Sequence, residues 1–221
     1  MIKIIIYLGP SLPLKEAKKI LYSNTNREVI YAPPIKGDDI PNAINEGFNI
    51  LGIIDGLFFR ESAVSPREIM EALKTKVKIY GASSMGALRA SELDRYGMIG
   101  IGKIYHWYRD GTLNSDDEVA LSFESEAYTP ISEPLINIRE TIKKAFENNI
   151  LNKEESEVVF KSAKNLYFPE RRWEKIIQNS ENILNKSLSN LAEFVKNNKV
   201  DVKKEDAILL LKRIDEDSKW L

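Results

Sequence analysis

The sequence predicts an α/β protein: an open, mostly parallel sheet with crossover helices, followed by an all-helical C-terminal module. Two observations carry this. Four short apolar runs alternate with helical patterns through the first hundred residues, which is how a parallel sheet with covering helices reads in sequence. Beyond about residue 130 only the helical period remains. A Rossmann-like or flavodoxin-like arrangement of the strands satisfies this pattern, with domains expected at 1–130 and 131–221.

The expected strands are Lys3 to Leu8, Glu28 to Ala32, Asn49 to Asp55 and Lys76 to Gly81. The opening MIKIIIYLG is too short for a membrane span and lacks a secretory cleavage site, so it is read as the buried first strand of a cytoplasmic protein. Between the third and fourth strands, Ser65 is an N-cap, Pro66 takes the first helical position and Glu68 closes a capping box. The helix runs from Glu68 to Lys74. The segment YGMIGIGKIYHWYRDG, from Tyr96, is read as a glycine- and aromatic-rich loop able to approach a ligand or partner closely. In SDDEVALSF, Ser115 caps a helix and Glu118 closes its box, so the three acids there suit a helix dipole better than a metal.

In the C-terminal part, Leu135, Ile138, Ile142 and Phe146 form one apolar stripe, and Asn152 with Glu155 opens a second helix. Further faces fall at Trp173, Ile176 and Ile177, at Leu184, Leu188 and Leu191, and at Ala207, Leu210, Leu211 and Ile214.

Composition narrows the chemistry. The 221 residues carry 32 Lys and Arg against 33 Asp and Glu. The balance also holds in parts, 15 against 17 through Pro130 and 17 against 16 afterwards, so neither part is a basic arm for nucleic acid or membrane. Cysteine is absent, which removes disulfides, thiolate metal sites, persulfide carriers and cysteine nucleophiles. No Walker lysine and no GxGxxG stands in the chain, and no metal or cofactor is expected.

The candidate site is the junction VKIYGASSMGALRASEL, Val77 to Leu93. A strand ends at Gly81, two serines follow, and helix-forming sequence begins at Gly86. Ala82 and Gly86 flank Ser84 at both second neighbours, the small residues that a nucleophile elbow needs. The same turn opens a helix whose N–H groups can hold an anion. A plain structural turn explains the segment equally well.

Each strand end adds candidates along the edge where open α/β sheets collect ligands: Gly9 and Ser11 after the first, Asp55 after the third, Ser83 and Ser84 after the fourth. Asp55 either orients a base or binds a hydroxyl, or is a self-capping Asp-Gly turn. Arg60 and Arg89 supply positive charge, or Arg89 simply pairs with Glu92. His106 is the sole histidine and is read as part of an aromatic cluster with Tyr105, Trp107 and Tyr108 rather than as a base.

Three segments in order, DGLFFRESAVSPREIMEAL, GASSMGALRASEL and YGMIGIGKIYHWYRDGTLNSDDEVAL, resemble the core of the TfuA-like family, from about Phe48 to Phe123. The resemblance implies a companion of YcaO enzymes, which use ATP to activate a backbone amide so that sulfur replaces its oxygen. It further implies recruitment of a thiocarboxylated sulfur-carrier protein, or release of its sulfide, with a peptide or protein substrate reached through the complex. In methanogenic archaea the implied product is a thioglycine of methyl-coenzyme M reductase, and the richness in Ile, Lys and Asn fits an AT-rich archaeal genome.

Combined with the serine turn, this points to a hydrolase acting on a thiocarboxylate. Ser84 is nucleophile or water-orienter, Asp55 assists, Arg89 or Arg60 binds charge, and Gly9, Ser11, Ser83 and Gly86 shape the pocket. Two alternatives stand beside it: a non-catalytic adaptor that recruits or supports the YcaO enzyme, and an unrelated serine hydrolase.

Overall fold

The computed structural model describes residues 1–58 and 63–220. Five strands, β1 (Ile2–Tyr7), β2 (Arg27–Ala32), β3 (Ile50–Ile53), β4 (Lys78–Gly81) and β5 (Ile99–Gly100), form one all-parallel sheet in the order β2-β1-β3-β4-β5. This is the flavodoxin-like order, whose direction reverses between β1 and β3. The chain divides into two compact units, Met1–Asn114 with Lys203–Leu221, and Ser115–Val202. These limits differ from the sequence reading at 130/131 in grouping residues 115–130 with the helical unit and the last helix with the sheet.

In the first unit, alternation along each strand splits the side chains between two faces. Ile5, Tyr7, Leu51, Ile53 and Ile79 pack with α2 (Asp39–Asn45), α3 (Pro66–Leu73) and α4 (Met85–Leu93). Ile4, Ile6, Ile50 and Tyr80 pack with α1 (Leu14–Ile20) and with Ala207, Leu210, Leu211 and Ile214, all fully buried, from the last helix, Val202–Asp217. Gly52 makes room for that helix: a Cβ there would lie 2.9 Å from Ile214 Cδ1 and 3.2 Å from Leu210 Cδ2. The α3 capping box is present, with Glu68 N donating to Ser65 Oγ and Ser65 N to Glu68 Oε2. The edge of β2 is blunted by its own preceding turn, because Ser23 Oγ takes the Val29 N–H and Asn24 binds Arg27.

The segment read as a loop from Tyr96 is instead β5 and α5 (Gly102–Arg109). Local signals could not show this, since the cap comes from far along the chain. Asp206, fully buried on the last helix, accepts from Lys103 N at 2.9 Å and Ile104 N at 2.8 Å. Gly102, at φ +91°, leaves space for that carboxylate. Burial pushes the Asp206 carboxyl up to about 6, the two N–H bonds and nearby Lys103 opposing it.

The second unit is helical: α6 (Leu135–Glu147), α7 (Lys153–Lys164), α8 (Trp173–Leu184) and α9 (Ser189–Asn198), so the Val202–Asp217 helix is α10. Leu135, Ile138 and Ile142 are in its core, but Phe146, expected with them, is 48 % exposed in the final turn of α6. The Asn152–Glu155 capping box opens α7 as expected. The face at Leu184, Leu188 and Leu191 is divided between two helices, because Asn185 ends α8 in a left-handed conformation, φ +48°. Ser115 caps only a single 3-10 turn, and Glu118 accepts from Arg139 at 2.6 Å. Arg171, 1 % exposed, donates to Ala163 O and to Asp117 O and Oδ2. Among the described residues no helix is long and apolar enough to cross a membrane, and no cluster of three His, Asp or Glu could hold a metal.

Candidate functional site

The loops after β1, β3 and β4 emerge side by side at the C-terminal edge of the sheet, as the strand order dictates. Asp55 ties the first two together. Its Oδ2 accepts from Gly9 N at 2.9 Å and Ser11 N at 3.0 Å, and its Oδ1 accepts from Ser11 Oγ at 2.6 Å. The carboxylate is 2 % exposed, so three donors from one loop satisfy a charge that would otherwise be costly to bury. It is more than a self-capping turn, since the donors lie over forty residues away.

The chain after β2 closes over this edge. Ile35 bridges Gly56, with Ile35 N donating to Asp55 O and Leu57 N to Ile35 O. Pro34 comes down on Gly9, where a Cβ would sit 2.5 Å from Pro34 Cγ. The β1/β3 reversal, where such sheets commonly hold ligands, is therefore filled by Pro34 and Ile35. Sequence reasoning missed this crossing, for which only the Pro33–Pro34 pair hints at an extended segment.

On the β4 side the backbone is tightly packed. Gly81 and Gly86 face each other across the turn: a Cβ on Gly86 would overlap Ile53 O and lie 2.7 Å from Ile53 C. A Cβ on Gly81 would lie 2.8 Å from Gly86 C. Only glycine lets α4 start so close to β3. Ser83 sits between them at φ +67°, and Ser84, the N-cap of α4, has φ −115° and ψ −116°. The conformation with positive φ is thus at Ser83, one residue before the position that the flanking small residues suggest. Ser83 is fully buried and Ser84 is 2 % exposed. Among the described residues Ser83 Oγ has no hydrogen-bond partner.

Three amides around the start of α4 are engaged within the protein. Ser84 N donates to Ala82 O and Ile54 O, Gly86 N to Ile54 O, and Ala87 N to Ala82 O. Arg89, one turn on, donates Nε to Val64 O at 2.9 Å and Nη1 to both oxygens of Glu92. Its side chain is 13 % exposed. Arg60 lies outside the described residues. His106 is exposed on α5, its ring 4.9 Å from that of Tyr105, and no hydrogen bond joins it to either serine.

Asp55 and Ser11 are thus in contact, Gly9 lies beside them, and Ser83, Ser84 and Gly86 form the adjacent turn. Arg89 belongs to a separate ion pair. The arrangement offers two hydroxyls at a dry helix start next to a rigidly anchored loop: that of Ser84 makes no capping bond, and that of Ser83 is buried without a partner among the described residues.

Residues 55–172 match a family model described as TfuA-like protein, so the match begins at the Asp55 anchor and includes the serine turn. No curated protein matches the chain.

Proposed function

The chain belongs to the TfuA-like family, and from that membership, which places it in the TfuA/YcaO thioamide pathway, we propose that it supplies sulfide to a YcaO-type enzyme for backbone thioamidation. The sulfur donor in this reading is a thiocarboxylated sulfur-carrier protein. Water replaces sulfur at its C-terminal carbonyl: the thiocarboxylate and one water become a carboxylate and hydrogen sulfide. If Ser84 is the nucleophile, its oxygen bonds to the carbonyl carbon as the carbon–sulfur bond breaks and sulfide leaves with the hydroxyl proton. Water then cleaves the ester and restores the serine. If Ser84 orients water, the same balance is reached in one displacement. An acceptor glycine such as that of methyl-coenzyme M reductase fits this chemistry.

The observation that carries the reading is the serine turn itself, held in positive φ at Ser83 and buried at the start of α4 inside the matched region. Gly9, Ser11 and Gly86 lie in the loops around the serine turn and, in this reading, shape the space that the substrate's end takes. Asp55 serves by anchoring the loop, and the positive charge in this reading comes from Arg89, once released from Glu92, or from Arg60.

The adaptor reading is favoured by a different observation. Asp55 receives its hydrogen bonds from Gly9 and Ser11 rather than from Ser84, and Arg89 is committed to Glu92 and Val64. The test is sulfide release from a thiocarboxylated carrier by wild type and Ser84→Ala, with and without YcaO. Release that disappears in the variant supports the hydrolase. Absence of release, with thioamide yield still rising when the wild-type protein is added, refutes it in favour of recruitment.

A further inference from the structure

The two serines at the end of β4 are not equivalent. Ser83 adopts φ +67°, a conformation that suits glycine and strains a residue with a Cβ. Its hydroxyl is fully buried and has no partner, so it has given up water without gaining a bond in return. Alanine at this position would remove the second cost, and glycine would remove both. Serine is the least stabilising of the three small residues here. Local strain and an unsatisfied buried group together are what a ligand-contacting position shows.

The surrounding donors sharpen the assignment. The amides of Ser84, Gly86 and Ala87 already donate to Ile54 O and Ala82 O. Ser11 Oγ donates to Asp55 Oδ1. Among the described residues of this turn, the Ser83 hydroxyl is the fully buried side-chain donor still to be used. We propose that the Ser83 hydroxyl is the hydrogen-bond donor for the anionic C-terminal end of the sulfur donor, a carboxylate or thiocarboxylate, holding it beside Ser84. This rests on the sulfide-supply reading above and adds the group that selects its substrate.

A hydroxyl donating to an anion in a site closed to water makes a stronger bond than one donating to a neutral carbonyl. The site accordingly prefers a free acid or thioacid to an ester of the same peptide. Entry requires the turn to open, and the strain at Ser83 lowers what that opening costs.

The experiment uses the full chain as wild type, Ser83→Ala, Ser83→Gly and Ser84→Ala. The probes are one short peptide in three forms: C-terminal thiocarboxylate, carboxylate and methyl ester. Binding is measured by calorimetry, with a thermal melt of each protein. Wild type is expected to bind both anionic forms at least tenfold more tightly than the ester. Ser83→Ala is expected to melt no lower than wild type and to lose about ten- to a hundredfold in affinity for the anionic forms, the size expected for a hydrogen bond to a charged group. Ser83→Gly is expected to lose the same selectivity.

Unchanged anion affinity in Ser83→Ala, or a wild type that binds the ester as well as the acids or binds none of the three, overturns the proposal. Sulfide release measured on the same proteins separates the two readings. Release that depends on Ser84 but not on Ser83 sinks this inference alone, whereas no release from wild type sinks the sulfide-supply reading.

Discussion

Removal of the Asp55 carboxylate tests how the candidate site is held together. In Asp55→Ala the Gly9 and Ser11 amides and the Ser11 hydroxyl, which now donate at 2.6 to 3.0 Å, lose their acceptor in a region closed to water. Each bond to a charged acceptor is worth about 1.5–3 kcal/mol. Part of that sum is returned because a charge is no longer buried, which leaves a net loss of about 3 to 4 kcal/mol. At roughly 2–4 °C per kcal/mol for a chain of this size, melting should fall by about 6 to 16 °C.

Asp55→Asn keeps the side chain's shape. Its carbonyl can accept both amides, and its NH2 can donate to Ser11 Oγ, since a hydroxyl can reverse its role. The loss should be about 1 kcal/mol. Because two compact units need not melt together, the sharper assay is hydrogen exchange at the Gly9 and Ser11 amides. Protection should collapse in the alanine variant and survive in the asparagine variant. Wild-type protection of both amides in Asp55→Ala, with melting within about 2 °C of wild type, would refute the anchor. Sulfide release, where it occurs, should survive Asp55→Asn; its complete loss with the loop still protected would make the carboxylate a proton acceptor instead.

Three further outcomes follow from other parts of the fold. Gly86→Ala drives a Cβ into the Ile53 carbonyl; overpacking of about 3 kcal/mol exceeds the roughly 1 kcal/mol gained in helix propensity, so melting should fall by several degrees, and an unchanged melt would contradict the close approach. Arg171→Ala removes the guanidinium donors to the Asp117 carbonyl and carboxylate and one of the donors to the Ala163 carbonyl, and should cost about 3 kcal/mol or more, seen as faster exchange confined to residues 115–202. Asp206 has a folded-state pKa of about 6 against an ordinary 3.8, so the folded state binds the proton more strongly. Its contribution is most favourable below pH 4 and declines by about 2 to 3 kcal/mol as pH rises through 6, so wild-type stability relative to Asp206→Asn should fall over that window, and a flat difference would refute the assignment.

Much of the architecture was legible because it is encoded locally. The Ile-rich runs identify β1 to β4 to within a few residues, and Ser65-Pro66-Glu68 and Asn152-Glu155 place α3 and α7 because a capping box closes within one turn. The serine turn was visible too, since small residues around Ser84 are what a tight strand-to-helix turn requires. The sequence match likewise needs only order and spacing, and it supports the family that the three motifs resemble.

The tertiary structure decided what depends on partners distant in the chain. β5 and α5 escaped a local reading because the N-terminus of α5 is capped by Asp206, about a hundred residues later. The return of α10 to the sheet escaped it because an apolar helical stripe does not say which surface will cover it. The same holds at the site. Residue types alone made Asp55 and Arg89 helpers of Ser84, but carboxylates and guanidinium groups go to whichever donors and acceptors the fold brings nearest, here Gly9 with Ser11 and Glu92 with Val64. A sequence lists the groups able to do chemistry; burial and hydrogen-bond satisfaction, which belong to the folded whole, determine that of the two serines at this turn it is Ser83 whose hydroxyl is fully buried without a partner among the described residues.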